Sequence, residues 1–63
     1  MRYEIVRTKT GITTMDLDSI VAFTHNYDDK TMDIHMSNGT IFTTTIGAVV
    51  LDEVTGKIKT GDE

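Results

Sequence analysis

The chain contains no cysteine, no proline and no tryptophan in 63 residues, and only two phenylalanines and two tyrosines. The missing cysteine excludes disulfides and thiolate zinc sites. That matters at this length, because a domain of about 60 residues buries only about 60% of the surface its unfolded chain exposes. Domains this small commonly add a disulfide, a metal or a partner subunit. With the first removed and His25 and His35 the only imidazoles, self-association is the expected way to cover leftover apolar surface, and a homo-oligomer is predicted. A cysteine-free chain also suits a reducing compartment, so a cytoplasmic location is expected. The absence of proline fits a sheet whose backbone donors are in use.

Basic residues are few. Six Lys and Arg stand against ten Asp and Glu, for a net charge of −4. Sequence-independent nucleic-acid binding needs clustered cations, and six spread along the chain do not supply a cluster. No run approaches the roughly 18 apolar residues of a membrane-spanning helix. Met1-Arg2-Tyr3-Glu4-Ile5 has no apolar signal region and reads as structure from the start, so a single domain over 1–63 is expected, with 59–63 as a frayed tail. What is abundant is threonine, with twelve residues. Its β-branched side chain suits a pleated, half-buried surface.

The strongest local signal is Ser37-Asn38-Gly39-Thr40 between the alternating runs Thr31–Met36 and Ile41–Thr45. Asn-Gly in such a setting predicts a two-residue type I′ hairpin, because both central residues need φ > 0. Upstream, Arg2–Thr8 reads as a strand, Thr8-Lys9-Thr10-Gly11 as a turn and Ile12–Met15 as a short second strand. Asp16-Leu17-Asp18-Ser19 favours a turn or one turn of 3₁₀ helix, with Leu17 tucked inward. Ser19–Asn26 is a third strand, followed by the loop Tyr27-Asp28-Asp29-Lys30. Pairing Ser37 with Thr40 and Asn26 with Thr31 places Val21, Phe23, Met32, Ile34, Met36 and Ile41 on one face, since side chains alternate with period two. The opposite face then carries an apolar patch of Ile20, Ala22 and Phe42 beside His35.

Residues 46–58 admit two readings. As a helix the segment starts at Thr45, buries Ile46, Val49, Val50 and Val54, and stops at Gly56. As strands it runs Gly47–Leu51, turns at Thr55-Gly56 and returns through Lys57–Lys59. The helix is favoured narrowly. The predicted class is mainly β, a small antiparallel meander of four to five strands in two to three hairpins, closed by a short C-terminal helix. That order and its Asn-Gly turn resemble small phage and bacterial β-meander proteins, including the FlbD-like flagellar family. The resemblance brings no signature residue and no function with it.

Catalytic patterns are weak throughout. Ser19 and Ser37 sit in turns, without the strand-to-helix elbow of a nucleophile. Asp28-Asp29 and Asp52-Glu53 are adjacent and solvated rather than paired across a pocket. His25 and His35 fall on opposite faces of the predicted sheet, which leaves His25 with Asp28 and Asp29 as the residual metal candidate and no cofactor expected. The sequence therefore points to a non-catalytic, acidic binding protein, a homo-oligomeric regulator or inhibitor of the kind phages encode. Its expected interface is Ile20, Ala22, Phe42 and His35, or an exposed strand edge. Two alternatives remain. One is a nucleotide-like small ligand held between subunits by Tyr3, Arg7, Thr43 and Thr44. The other is single-stranded nucleic acid on a sheet face through Tyr3, Phe42 and His35 with Arg2 and Arg7.

Overall fold

The computed structural model describes residues 1–61, in which seven β-strands form three small antiparallel sheets. Strands β1 (Tyr3–Thr8) and β2 (Gly11–Asp16) make the first hairpin. A 3₁₀ turn at Leu17–Ser19 leads into a three-stranded meander of β3 (Ile20–Asn26), β4 (Thr31–Met36) and β5 (Ile41–Thr45). Strands β6 (Val49–Asp52) and β7 (Lys57–Thr60) make the last hairpin. Sheet neighbours are always consecutive, so the meander holds within each sheet. No described helix is long and apolar enough to cross a membrane.

The favoured C-terminal helix is replaced by the strand-pair reading. Gly47 adopts φ 98, which no helix start tolerates, and Val49 and Val50 are β-branched residues that pack readily on a pleat. Lys59 and Thr60 are not frayed. They pair with Val50 and Val49, and Gly61 N–H donates to the Ala48 carbonyl at 2.9 Å. A Cβ on Gly61 would lie 1.8 Å from the Gly47 carbonyl oxygen, so the approach depends on glycine. Asp62 and Glu63, the rest of the expected tail, lie outside the described residues.

A two-stranded hairpin this short is marginal alone, and a three-stranded sheet depends on its apolar face. All three contribute to one core: Val6 from β1, Met15 from β2, Leu17, Met32 and Ile34 from β4, and Val49 from β6. Ile20, Phe23, Met36, Phe42, Ala48 and Ile58 pack around it. Leu17 enters as the sequence suggests, and the joint that carries it is heavily bonded. Asp16 Oδ1 accepts from the backbone N–H of Arg2 at 2.9 Å and of Asp18 at 3.0 Å, while Ser19 Oγ donates to Asp16 Oδ2 at 3.2 Å. Leu17 N–H donates to the Arg2 carbonyl at 2.9 Å.

Register departs from expectation at two points. The Tyr27–Lys30 loop pairs Asn26 with Thr31 and Phe23 with Ile34 as predicted. A β-bulge then makes Val21 an extra residue, so Ile20 rather than Val21 opposes Met36. At the Asn-Gly turn, Met36 N–H donates to the Thr40 carbonyl and Gly39 N–H to the Met36 carbonyl. Gly39 alone has positive φ, at 92, while Asn38 does not. This is a three-residue loop ending in a glycine bulge, not a type I′ turn. Asn38 caps it through its side chain, accepting from Thr40 N–H at 3.0 Å. Ile34 therefore faces Phe42, and Met32 faces Thr44.

Both shifts exchange one apolar residue for its neighbour. Ile20 and Phe42 turn to the core side, and Val21 and Ile41 turn out, 66% and 56% exposed. The register burying Phe42 wins because an aromatic ring removes more apolar area from water than Ile41 does. The predicted patch of Ile20, Ala22 and Phe42 accordingly does not exist as a surface.

Gly39→Val places a β-branched residue at a φ that favours glycine and is expected to cost about 1–2 kcal/mol or more, read as a fall in Tm. An unchanged Tm would contradict the assigned loop.

Candidate functional site

With the register corrected, the outer face of the three-stranded sheet is a polar ladder. Thr24 Oγ1 and His35 Nε2 are hydrogen-bonded across β3 and β4 at 3.2 Å. Asp33 accepts from Thr43 Oγ1 at 2.9 Å and from Asn26 Nδ2 at 3.3 Å. These contacts use donors and acceptors that would otherwise serve a ligand. Ala22 and Ile41 are the apolar members of this face. Of the four expected interface residues, Ala22 and His35 stand on this side, while Ile20 and Phe42 stand on the other.

The edge of the same sheet is different. β5 is closed off by the first hairpin, because Lys9 N–H donates to the Thr43 carbonyl at 2.7 Å and Thr44 Oγ1 donates to the Arg7 carbonyl. β3 forms the other edge, and among the described residues no strand pairs with its outward side. Its seven residues include no Asp, Glu, Lys or Arg. The strands of both two-stranded sheets each carry at least one charge. Along its core side, Phe23 meets His25 edge-on at 5.9 Å, and His25 stacks on Tyr27 at 5.8 Å with an 11° interplanar angle. This row leaves the core behind, ending at Tyr27, which is 76% exposed.

The metal candidates His25, Asp28 and Asp29 line one shallow depression with Asn26 and Tyr27. Among the described residues no three His, Asp or Glu side chains are grouped closely enough to hold a metal ion. His25 and His35 do point to opposite faces. The ligand candidates divide. Arg7, Thr43 and Thr44 line a single hollow of about 220 Å³, joined by Thr8, Lys9, Thr31 and Thr45. Tyr3 lies apart, at a depression beside Met36 and Phe42. The residues that would stack nucleic-acid bases are scattered: Phe42 packs on the core, His35 is on the far face, and the Arg2 guanidinium is held by Asp18 at 2.8 Å. Ser19 is engaged by Asp16 within the 3₁₀ turn.

Comparison with protein-family models, with curated proteins and with solved structures finds no match in any of the three. The arrangement is therefore read from its own chemistry.

Two carboxylates have displaced acidities. The Arg2 backbone N–H, followed by those from Asp18 and the Ser19 hydroxyl, holds Asp16 below the usual carboxylate range against a smaller opposing effect of burial. The Arg2 side chain does the same for Asp18. A carboxylate with a depressed folded-state pKa stabilises above its ordinary value of about 3.9 and ceases to as pH falls through the lower value. Arg2→Ala keeps the backbone N–H that holds Asp16 and removes the side chain that holds Asp18, so it is expected to flatten part of the loss of stability as pH falls below about 5, read as urea midpoints. An acid limb as steep as the parent's would contradict the assignment.

Proposed function

We propose that this is a non-catalytic protein-binding module that assembles with a second copy of itself through the outward edge of β3. The observation that carries this reading is a seven-residue edge strand with open backbone groups and no charged side chain. Natural sheets usually protect such an edge with Lys, Pro or a covering segment, because an unpaired edge is a template for another strand. A bulge at Val21 twists one end of β3, which leaves the stretch from Ala22 onward for pairing.

A second copy suits the site for a simple reason. Antiparallel pairing of a strand with itself about a two-fold axis is self-complementary, and its closed symmetry ends assembly at two chains. Pairing would extend the three-stranded sheet into one continuous sheet across both copies, adding ladder hydrogen bonds where the small core leaves stability low. The charge of −4 lies elsewhere and does not oppose contact along this strand. Regulation or inhibition of another protein follows as the wider role, with the same edge open to a partner's strand when the copies separate.

The test is mass measurement by light scattering across a dilution series, comparing the parent with Ala22→Lys. Ala22 is exposed on β3, and the substitution puts a cation on the pairing edge of each copy. The expected result is a dimer for the parent and a monomer of unchanged fold for Ala22→Lys. A parent that is monomeric at every concentration would refute the reading.

A further inference from the structure

The chain has two side-chain amides, Asn26 and Asn38, and no glutamine. Their settings differ. Asn26 is half-buried at the end of β3, its Nδ2 donates to Asp33 Oδ2 at 3.3 Å, and the bulky Tyr27 follows it. Asn38 lies in the exposed stretch 37–40 and is followed by Gly39. A Cβ built on Gly39 would meet nothing within 4 Å, so the space beside this residue is open.

The hydrogen bonds of the loop fold the Asn38 side chain back over the next peptide. Asn38 Oδ1 accepts from Thr40 N–H at 3.0 Å, closing a ring through Asn38 Cγ, its main chain, Gly39 and the Thr40 nitrogen. The Gly39 nitrogen belongs to the same ring, so it and Cγ are held within one turn. Thr40 N–H also polarises the side-chain carbonyl, and it stands where negative charge gathers on Oδ1 when a nucleophile adds to Cγ. Gly39 N–H is donated to the Met36 carbonyl at 3.0 Å, and this bond in an exposed loop opens when hydroxide takes the proton.

We infer that Asn38 is a self-modification site, where the Gly39 nitrogen displaces the side-chain amide and water opens the resulting imide mainly to isoaspartate. The Gly39 nitrogen gives up its proton and bonds to Asn38 Cγ. The Cγ–Nδ2 bond breaks, ammonia leaves, and a succinimide is closed. Water then adds to one of the two imide carbonyls. Opening at Cγ leaves the chain path unchanged, with aspartate at position 38. Opening at the main-chain carbonyl, the more electrophilic because it adjoins the acylated Cα nitrogen, routes the chain through Cβ. Either product adds one negative charge.

Isoaspartate adds one atom to the main chain inside the loop that sets register. Met36 N–H to the Thr40 carbonyl at 2.9 Å and Gly39 N–H to the Met36 carbonyl close that loop, and the pairs Ile34–Phe42 and His35–Ile41 follow from its length. A longer loop cannot keep both bonds and the same pairs, so the hold on Phe42 against the core is loosened. Aspartate at position 38 keeps the main chain and an acceptor for Thr40 N–H, and register is unchanged. The site is a timer on the β4–β5 hairpin.

The test incubates the full chain at mildly alkaline pH and follows both amides by peptide mapping and mass spectrometry. Isoaspartate is scored with an isoaspartyl methyltransferase and a labelled methyl donor. Asn38 is expected to lose ammonia at least about tenfold faster than Asn26, and Gly39→Ala to slow that loss about tenfold, folded or not. The folded parent should react at least as fast as the chain unfolded in urea, because the turn is already formed. The isoaspartate form, separated by ion exchange, should melt about 4–8 °C below Asn38→Asp, the shift that loss of one net hydrogen bond gives a domain of this size. Equal rates at Asn38 and Asn26, slower loss in the folded chain than in urea, or an unslowed Gly39→Ala would each overturn the inference. So would aspartate without isoaspartate, or equal Tm for the two products. Loss of the amide does not depend on oligomeric state, so the inference stands or falls separately from assembly through β3.

Discussion

One core has to serve three sheets. Val6, Met15, Leu17, Met32, Ile34 and Val49 come from every sheet and from the turn between two of them. Neither two-stranded hairpin is more than marginal by itself, and both pack on the apolar face of the three-stranded sheet. Leu17 is the member that stands at the joint between two of the sheets. It is 1% exposed, and the bonds around Asp16 fix the angle at which the first hairpin turns into the second sheet. The Arg2–Asp18 pair lies on the exposed side of the same joint and contributes through an acid-sensitive, screened contact rather than through packing.

From this constraint follows the arrangement of faces. The core needs its large apolar groups inward, and two one-residue insertions supply them. A bulge at Val21 and a glycine bulge at Gly39 bring Ile20 and Phe42 toward Met36 and Ile34. The outer face is left to Thr24, His35, Asp33, Asn26 and Thr43, which satisfy one another. With β5 bonded to the first hairpin, the open backbone groups of this sheet lie along β3.

Much of the fold is legible in the residues. The Tyr27–Lys30 loop, the inward Leu17 and the opposite placement of His25 and His35 follow from turn chemistry and period-two alternation. The two bulges are not legible, for a definite reason. Ile20-Val21 and Ile41-Phe42 are adjacent apolar pairs, so alternation accepts either member as the inward one. Asn-Gly is compatible with two-residue and three-residue loops, which differ by one step of register. The C-terminal segment was open between helix and hairpin because its apolar residues fit both spacings, and Gly47 becomes decisive only once its φ is known. Among the candidate site residues, Arg7, Thr43 and Thr44 do share a hollow, but Lys9 joins them through the closure of β1 on β5, a contact no local pattern announces.

The central claim is that the edge of β3 is occupied by a second copy in solution. Amide hydrogen exchange at two protein concentrations tests it most directly, because among the described residues no strand pairs with the outward N–H groups of residues 22–26. The account predicts that these amides are protected at high concentration and exchange rapidly on dilution, while those of β4, paired on both sides, stay protected throughout. Exchange along β3 that is rapid at both concentrations would contradict it.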